Sequence, residues 1–293
     1  MQERELEISG GSLYYRLEDG KAVITRFQGE SPEAQLPGHI EGFPVKIIGK
    51  KAFLSRKNLR RVILPDSIEE IGDWAFAYCG SLREVRLPDG DVRFGKAVFM
   101  ECGSLESLSG TRAQGELLAA AVTALDANYL LDLKEAGSAE WLAKWDSRLL
   151  AVMQVPDSEG YSRQVLCGEE DYGSTDFAAY TSGRRKRKAR LAFLRLLFSQ
   201  GLSDENRTFM ETYLREHTRG SGEGDEAWQV LLSERGEDRR YYRLFAEIGC
   251  VMEGNFDGIL ADIGDKYTEM KAFFLRFQEE TMGTGDFFAS LEL

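Results

Sequence analysis

The chain has 293 residues, of which 43% are hydrophobic and 29% charged, and its net charge is −12. This composition is typical of a folded globular protein of about two domains, and it argues against wholesale disorder. The charge is uneven: residues 1–110 hold 15 basic and 17 acidic residues, whereas residues 111–293 carry a net charge of −10. Because phosphate groups are bound by basic surfaces, this balance also argues against general nucleic-acid or anionic-membrane binding.

Targeting signals and cysteine spacing bear on the compartment. No apolar run approaches the roughly 20 residues of a membrane-spanning helix, and the N-terminus is acidic where a secretory signal is basic and then apolar. We therefore expect a cytoplasmic protein, or a surface or secreted one if a leader has been removed. The four cysteines show no C-x-x-C spacing, so we expect reduced thiols that pack as small apolar residues.

The first predicted element is a β-hairpin. Residues 12–28 alternate apolar and polar positions around a turn at Glu18, Asp19 and Gly20, which is the pattern of two paired strands. Such a hairpin would cover the first coil of a repeat structure, whose apolar face would otherwise be exposed to water.

A 23-residue repeat follows the hairpin. It is marked by three copies of one motif: Ile48-Gly49-x-x-Ala52-Phe53, Ile71-Gly72-x-x-Ala75-Phe76 and Phe94-Gly95-x-x-Val98-Phe99. A fixed period of 20 to 29 residues is typical of a leucine-rich solenoid. The third copy decays, with Asp91 at the position of Ile68, so we place the end of the solenoid near Gly110.

Each repeat contains one predicted strand with the pattern Leu-x-x-Val-x-Leu-Pro. In one copy Leu59, Val62 and Leu64 point inward. The outward positions of the three strands should line the concave face and form the partner-binding site: Arg61, Ile63, Glu84, Arg86, Ser107 and Ser109. Mixed charge with one aliphatic residue suits a protein or peptide partner. The alternative is that this face packs on the helical part of the chain.

The repeat resembles a known family in its details. The segments Leu36-Pro37-x-x-Ile40-x-Gly42-x-Pro44-Val45-x-x-Ile48-Gly49 and Leu82-x-x-Val85-x-Leu87-Pro88 are similar to the BspA-like leucine-rich repeats, also called the Treponema pallidum type. The resemblance covers roughly residues 20–108. It implies a curved right-handed solenoid of short strands and turns. It also implies a bacterial protein that binds other proteins or matrix, commonly at the cell surface.

From residue 111 onward the apolar spacing becomes helical. We expect an all-helical domain of seven to nine helices packed as antiparallel pairs. One helix should end at Gly201 and the next should begin at Ser203. Trp141 and Trp145, spaced four apart, should lie in the core of this domain. The predicted fold class is therefore multidomain α and β, with a repeat domain at 1–110 and a helical domain of unknown function at 111–293.

Two further segments are candidate sites in the second domain. Residues 184–188 form a basic run: Arg184, Arg185, Lys186, Arg187 and Lys188. They suggest either contact with nucleic acid or a membrane surface, or a helix face that pairs with nearby acids, and the acidic domain favours the second. The other segment is an acidic loop with two flanking glycines, whose candidate residues are Glu169, Glu170, Asp171 and Tyr172. It suggests either a divalent-cation site or a partner-docking loop, or simply the lead-in to a helix that begins at Phe177.

Catalysis has little support in the sequence. The chain has only two histidines, His39 and His217, in different predicted domains, and no nucleotide, zinc-protease or hydrolase motif. We predict a non-enzymatic interaction or scaffold protein with no cofactor and no metal. Its partner is a protein or peptide of unknown identity. The alternatives are a surface or secreted adhesion protein and a nucleic-acid-associated regulator that uses residues 184–188.

Overall fold

The computed structural model describes residues 2–88, 91–108, 112–162, 176–221 and 224–281. The chain forms two compact units, Met1–Ala151 and Val152–Leu293. Among the described residues, the strands all lie in the first unit: β1 (Arg4–Ile8), β2 (Gly11–Glu18), β3 (Lys21–Gln28), β4 (Glu33–Gln35), β5 (His39–Ile40), β6 (Phe43–Ile48), β7 (Arg61–Ile63), β8 (Glu70–Ile71), β9 (Glu84–Arg86), β10 (Arg93–Phe94) and β11 (Ser107–Leu108).

The repeats form a solenoid with two sheets, in which strands of successive coils pair in parallel. Sheet A has the order β1-β2-β3-β6-β8-β10, with β5 paired to β6, and sheet B has the order β11-β9-β7-β4. The predicted Leu-x-x-Val-x-Leu-Pro strands are those of sheet B, and Leu59, Val62 and Leu64 are buried as expected. The strands of sheet A after β6 were not predicted. They are two residues long and form because successive coils stack, so no local alternation marks them.

Aromatic stacking and close glycine contacts hold the coils together. The rings of Phe27, Phe53, Phe76 and Phe99 form a stack with centroid separations of 5.1, 4.9 and 5.6 Å. Phe53, Phe76 and Phe99 are each preceded, four residues earlier, by a glycine that packs closely on the backbone of the preceding strand or coil. A Cβ added to Gly72 would lie 2.8 Å from the Lys50 nitrogen. The repeated glycine is therefore required by the closeness of the coils.

The N-terminal hairpin caps the solenoid, as predicted. Strands β2 and β3 pair from Ser12 and Gln28 to Glu18 and Lys21, and β3 then pairs in parallel with β6 of the first coil. Strand β1, which was not predicted, adds an outer antiparallel strand to β2. Leu13 of β2 and Ile24 and Phe27 of β3 are completely buried, so they form the apolar side of this cap.

Helices cover the last coil. The first unit contains α1 (Arg112–Thr123), a 3-10 turn (Asn128–Leu130) and most of α2 (Ala139–Gln154). Trp141 and Trp145 are buried as expected. Their indole nitrogens donate to the carbonyl of Leu130 at 2.9 Å and to that of Leu117 at 3.1 Å. They therefore belong to the helical cap of the solenoid and tie α2 to α1 and the 3-10 turn.

The second unit is helical within the residues described. Its helices are α3 (Phe177–Leu197), α4 (Asp204–Glu216), α5 (Glu226–Glu234), α6 (Arg239–Glu247), α7 (Glu253–Ile263) and α8 (Thr268–Thr281). Helix α4 begins after Ser203, whose hydroxyl accepts a hydrogen bond from the Asn206 nitrogen at 3.2 Å, as the sequence predicts. The fold class is as predicted, a hairpin-capped solenoid followed by helices. The division at residue 110 marks the change from strands to helices, and its role as a domain boundary stays a prediction.

Candidate interaction site

Two rows of side chains cross the outer face of sheet B. In the first row Glu33, Arg61, Glu84 and Ser107 are in register on adjacent strands. In the second row Gln35, Ile63 and Arg86 are in register. We define the strand face as Glu33, Gln35, Arg61, Ile63, Glu84 and Arg86. Since parallel strands lie about 4.8 Å apart, each row places one side chain per coil on a line perpendicular to the strands.

The first row alternates in charge. The Arg61 Nε atom lies 3.3 Å from Glu84 Oε2, and the two side chains remain 44% and 45% exposed. An ion pair this exposed contributes only about 0 to 1 kcal/mol to folding, because water screens both charges. Both groups can therefore turn toward a partner at little cost in stability.

The predicted site is shortened at its C-terminal end. A Cβ added to Gly115 of α1 would lie 2.7 Å from Ser107 Oγ and 2.5 Å from the Leu108 carbonyl oxygen. Helix α1 therefore packs directly on β11 and half-buries Ser107. Ser109, the last residue of the predicted set, lies outside the described residues.

The predicted site is lengthened at its other end. Strand β4 adds Glu33 and Gln35 to the face, and Ala34 between them is buried at the position that Val62 occupies in the next coil. The coil was recognised in the sequence, with residues 38–44 lengthening it from 23 to 28 residues, but its strand was not, because Ser31 and Ala34 replace the leucine and valine of the Leu-x-x-Val-x-Leu-Pro pattern. The signal was nevertheless present, since Leu36-Pro37 repeats as Leu64-Pro65.

The basic run lies on helix α3, and two of its cations are held by acids. Arg185 Nε donates to Asp157 Oδ2 at 3.0 Å, and Arg185 Nη1 lies 3.6 Å from Glu226 Oε1. Lys188 is buried and donates to Asp157 Oδ1 and to the Val155 carbonyl, both at 2.7 Å. Arg184, Lys186 and Arg187 are half-buried.

This cluster shifts the ionisation of its members. Burial acts to raise the pKa of Asp157, but the hydrogen bonds from Lys188 and Arg185 outweigh it and hold that pKa below its ordinary value. The pKa of Arg185 is raised, chiefly by its hydrogen bond to Asp157. Burial raises the pKa of the Tyr213 phenol nearby, and the charges of Asp157 and Glu226 add to that effect. The cluster has the character of a partly buried ion network.

The remaining candidates form no further site among the residues that the structure describes. Glu169, Glu170, Asp171 and Tyr172 lie outside the described residues. His39 is exposed in β5, and His217 stacks on Tyr213 with ring centroids 4.1 Å apart. In the part of the chain that the structure describes, no group of three or more His, Cys, Asp or Glu side chains is placed to hold a metal ion. Over the same residues, no helix is long and apolar enough to cross a membrane.

Comparison with known proteins assigns the repeats. Residues 40–114 match the family model described as BspA type leucine rich repeat region, in six copies. This part of the chain is therefore a BspA-type leucine-rich repeat region, as its motifs predicted. Comparison with curated proteins gives no match.

Solved leucine-rich repeat proteins also match, each over a little more than a third of the chain. The leucine-rich repeat protein of T. pallidum is 33% identical, with 38% of this chain and 51% of that chain covered and a TM-score of 0.33. A leucine rich cell surface protein of Faecalibacterium prausnitzii is 28% identical, covering 36% and 30% of the two chains, with a TM-score of 0.32. A leucine-rich repeat protein of Bacteroides capillosus is 27% identical, covering 36% and 88%, with a TM-score of 0.31. The chain thus spans about half the length of the first of these proteins.

Proposed function

We propose that this protein is a non-catalytic interaction or scaffold protein that binds a protein or peptide partner through the strand face. The observation that carries the proposal is the exposed, alternating row of Glu33, Arg61 and Glu84. These charges contribute little to folding, and solenoid proteins use such extended surfaces for binding. Ile63 in the second row supplies an apolar contact between the charged residues, as in the mixed surfaces of non-obligate interfaces.

The structure favours recognition by charge pattern. Charged rows of this kind accelerate encounter with a complementary surface and fix its register, so the interaction should weaken as salt concentration rises. A partner with an acidic residue opposite Arg61 and another opposite Arg86 would fit the two rows together. This mode of binding uses the solenoid alone and does not require loops of the helical unit.

The test compares two charge-reversed proteins. The double variant Arg61→Glu with Arg86→Glu reverses two charges of the strand face. The control, Lys46→Glu with Lys96→Glu, reverses two charges of the solenoid outside sheet B, where Lys96 is exposed and Lys46 is half-exposed. Each is used with the unchanged protein for affinity capture from cells that naturally express it, and captured proteins are then purified and retested. We expect the strand-face variant to lose its partner at least tenfold while the control retains it.

Two outcomes would count against the proposal. One is equal capture by both double variants, which would place binding elsewhere. The other is a large fall in the melting temperature of the strand-face variant, which would show that Arg61 and Arg86 serve folding. An adhesion role at the cell surface is the same binding function in another location, and fractionation of cells distinguishes it.

Nucleic-acid binding through residues 184–188 is the less favoured hypothesis. Asp157 and Glu226 neutralise Arg185 and Lys188. Binding to nucleic acid requires basic groups that can displace the counterions of the phosphates, and these two are already paired with acids. Retention on heparin that falls steeply with salt, and that is lost in Arg184→Ala with Lys186→Ala, would favour it over the strand-face proposal.

A further inference from the structure

The last strand of sheet A has backbone groups that point away from the solenoid. In sheet A the nitrogen of Gly72 donates to the Ile48 carbonyl at 2.8 Å, and that of Gly95 donates to the Ile71 carbonyl at 2.7 Å. Within a trans peptide unit the N–H and C=O point in opposite directions. Because the Gly95 N–H points back at Ile71, the Phe94 carbonyl in the same unit points outward.

A second carbonyl faces the same way. The Arg93 nitrogen donates to the Glu69 carbonyl at 2.9 Å, so the carbonyl of Val92 also points outward. Strand β10 is the end of sheet A, and no described residue donates a hydrogen bond to either of these oxygens. An outer strand edge of this kind is a template for pairing with another chain.

A cleft lies beside this edge. It has a volume of about 350 Å³ and is lined on one side by Val92, Phe94 and Val98 and on the other by Tyr129, Leu131 and Leu133. Asp91 and Asp132 also line it. Phe94 is only half-buried, whereas Ile48 and Ile71, its equivalents in the two preceding coils, are completely buried. An apolar side chain that entered the cleft would bury Phe94, in the same way that each coil buries the equivalent isoleucine of the coil before it.

The stacking of the coils defines which segment fits. The residue that covers Phe94 must be apolar, and the next must be glycine, because a Cβ at Gly72 or Gly95 would lie within 2.8 Å of the preceding backbone. The strand must run parallel to β10, as β6, β8 and β10 do. Asp91 already pairs with Lys134, so the charge of Asp132 is the one that favours a basic residue beside this apolar-glycine pair.

We propose that the edge of β10 binds an extended segment of a partner protein in which an apolar-glycine pair is flanked by lysine or arginine. The segment adds one parallel strand to sheet A. The nitrogen of its glycine donates to the Phe94 carbonyl, and an upstream nitrogen donates to that of Val92. This site lies on a different sheet from the strand face and uses backbone pairing, so it is independent of the function proposed above.

A peptide taken from the chain itself provides the probe. Residues 44–50, Pro-Val-Lys-Ile-Ile-Gly-Lys, carry the required pattern, and a fluorescein-labelled copy is titrated by fluorescence polarisation up to about 1 mM, the weak end of specific affinities. We expect saturable binding. Replacing the glycine by alanine, which adds the Cβ, or by N-methylglycine, which removes the donor, should weaken binding at least tenfold.

Charge is tested with a second peptide. A copy of residues 68–73, Ile-Glu-Glu-Ile-Gly-Asp, keeps the apolar-glycine pair but is acidic, and it should bind more weakly than the basic peptide at low salt. On the protein side, Leu131→Trp fills the cleft and should abolish binding. Met100→Trp places the same bulk at an exposed position of the same coil and should leave binding unchanged.

The register is tested by disulfide trapping. Ile47, Glu70 and Arg93 are in register on β6, β8 and β10. In an Arg93→Cys, Cys167→Ser protein, a peptide with cysteine at the position of Ile47 should therefore crosslink faster than one with cysteine at the position of Lys46. Absence of binding up to about 1 mM, equal binding of the glycine, alanine and N-methylglycine peptides, or equal crosslinking of the two cysteine peptides would overturn the proposal.

Discussion

The thiol of Cys102 donates a hydrogen bond to the carbonyl of Phe76 in the preceding coil, with 3.0 Å between the sulfur and the oxygen. One coil earlier, Cys79 makes the same contact with Phe53, also at 3.0 Å. The cysteine and phenylalanine positions of the repeat are thus physically linked. These two coils each join the previous one through a stacked ring and through a thiol that donates to the backbone beside that ring.

These buried thiols should be unreactive in the folded protein. Burial raises the pKa of Cys79 to about 11 and that of Cys102 to about 12. Cys250, in the helical unit, is also buried, and its pKa is raised to about 12. Because the thiolate is the nucleophile, we expect these three cysteines to resist a disulfide reagent at pH 8 and to react rapidly in denaturant. Mass spectrometry of the labelled protein checks this, with a Cys167→Ser variant to remove the fourth thiol. Rapid labelling of Cys79 or Cys102 without denaturant would contradict it.

Gly72 should not tolerate a methyl group. Gly72→Ala places a Cβ 2.8 Å from the Lys50 nitrogen and 3.0 Å from the Gly49 carbonyl carbon, and neither backbone atom can move without separating two coils. We expect a loss of about 1 to 3 kcal/mol in the free energy of unfolding, the usual cost of overpacking. The matched control is Gly80→Ala in the same coil, where no atom lies within 4 Å of the added carbon. It should change stability by less than about 0.5 kcal/mol, and equal effects of the two substitutions in denaturant unfolding would refute the steric explanation.

Two cations of helix α3 should differ sharply in their importance for folding. Lys188 is 5% exposed and holds both Asp157 and the Val155 carbonyl, whereas Arg190 binds Glu234 at an exposed position. Lys188→Ala leaves a carboxylate without one of its partners in a partly buried position, and we expect it to cost about 3 kcal/mol. Arg190→Ala should cost no more than about 1 kcal/mol. Urea unfolding of both variants measures the difference, and similar losses would show that the buried network adds nothing beyond a surface pair.

The same network should make stability depend on pH. The pKa of Asp157 is lowered in the folded state. The stability that its ionised form contributes is therefore fully present above the pKa of about 4 that the group has in the unfolded chain, and it is lost as the pH falls through the lower pKa of the folded state. Asp157→Asn removes this titration. We expect the stability difference between the unchanged protein and this variant to be constant from about pH 5 to 7 and to shrink below about pH 4. A difference that grows on acidification would mean that burial, and not the Lys188 and Arg185 hydrogen bonds, controls this carboxylate.

Much of the first unit could be predicted because its contacts repeat with the sequence. Leu59, Val62 and Leu64 recur every 23 residues, so their burial and the outward direction of Arg61 and Glu84 follow from the period alone. The hairpin cap is a local structure with its own alternation. Glu33 and Gln35 were missed because Ser31 and Ala34 replace the leucine and valine that mark the strand in the later copies.

The sequence by itself therefore determined the coil, its inward positions and the change to helices near residue 110, since these depend on neighbouring residues and a fixed period. Only the tertiary structure decided what happens where the period stops. It packs α1 on Ser107, groups Trp141 and Trp145 with the solenoid cap, and brings Asp157 to Lys188, 31 residues away along the chain. It also leaves the carbonyls of Val92 and Phe94 pointing outward. Such contacts join segments of unrelated sequence, and the physical reason they could not be predicted is that no local pattern encodes a pairing between distant segments.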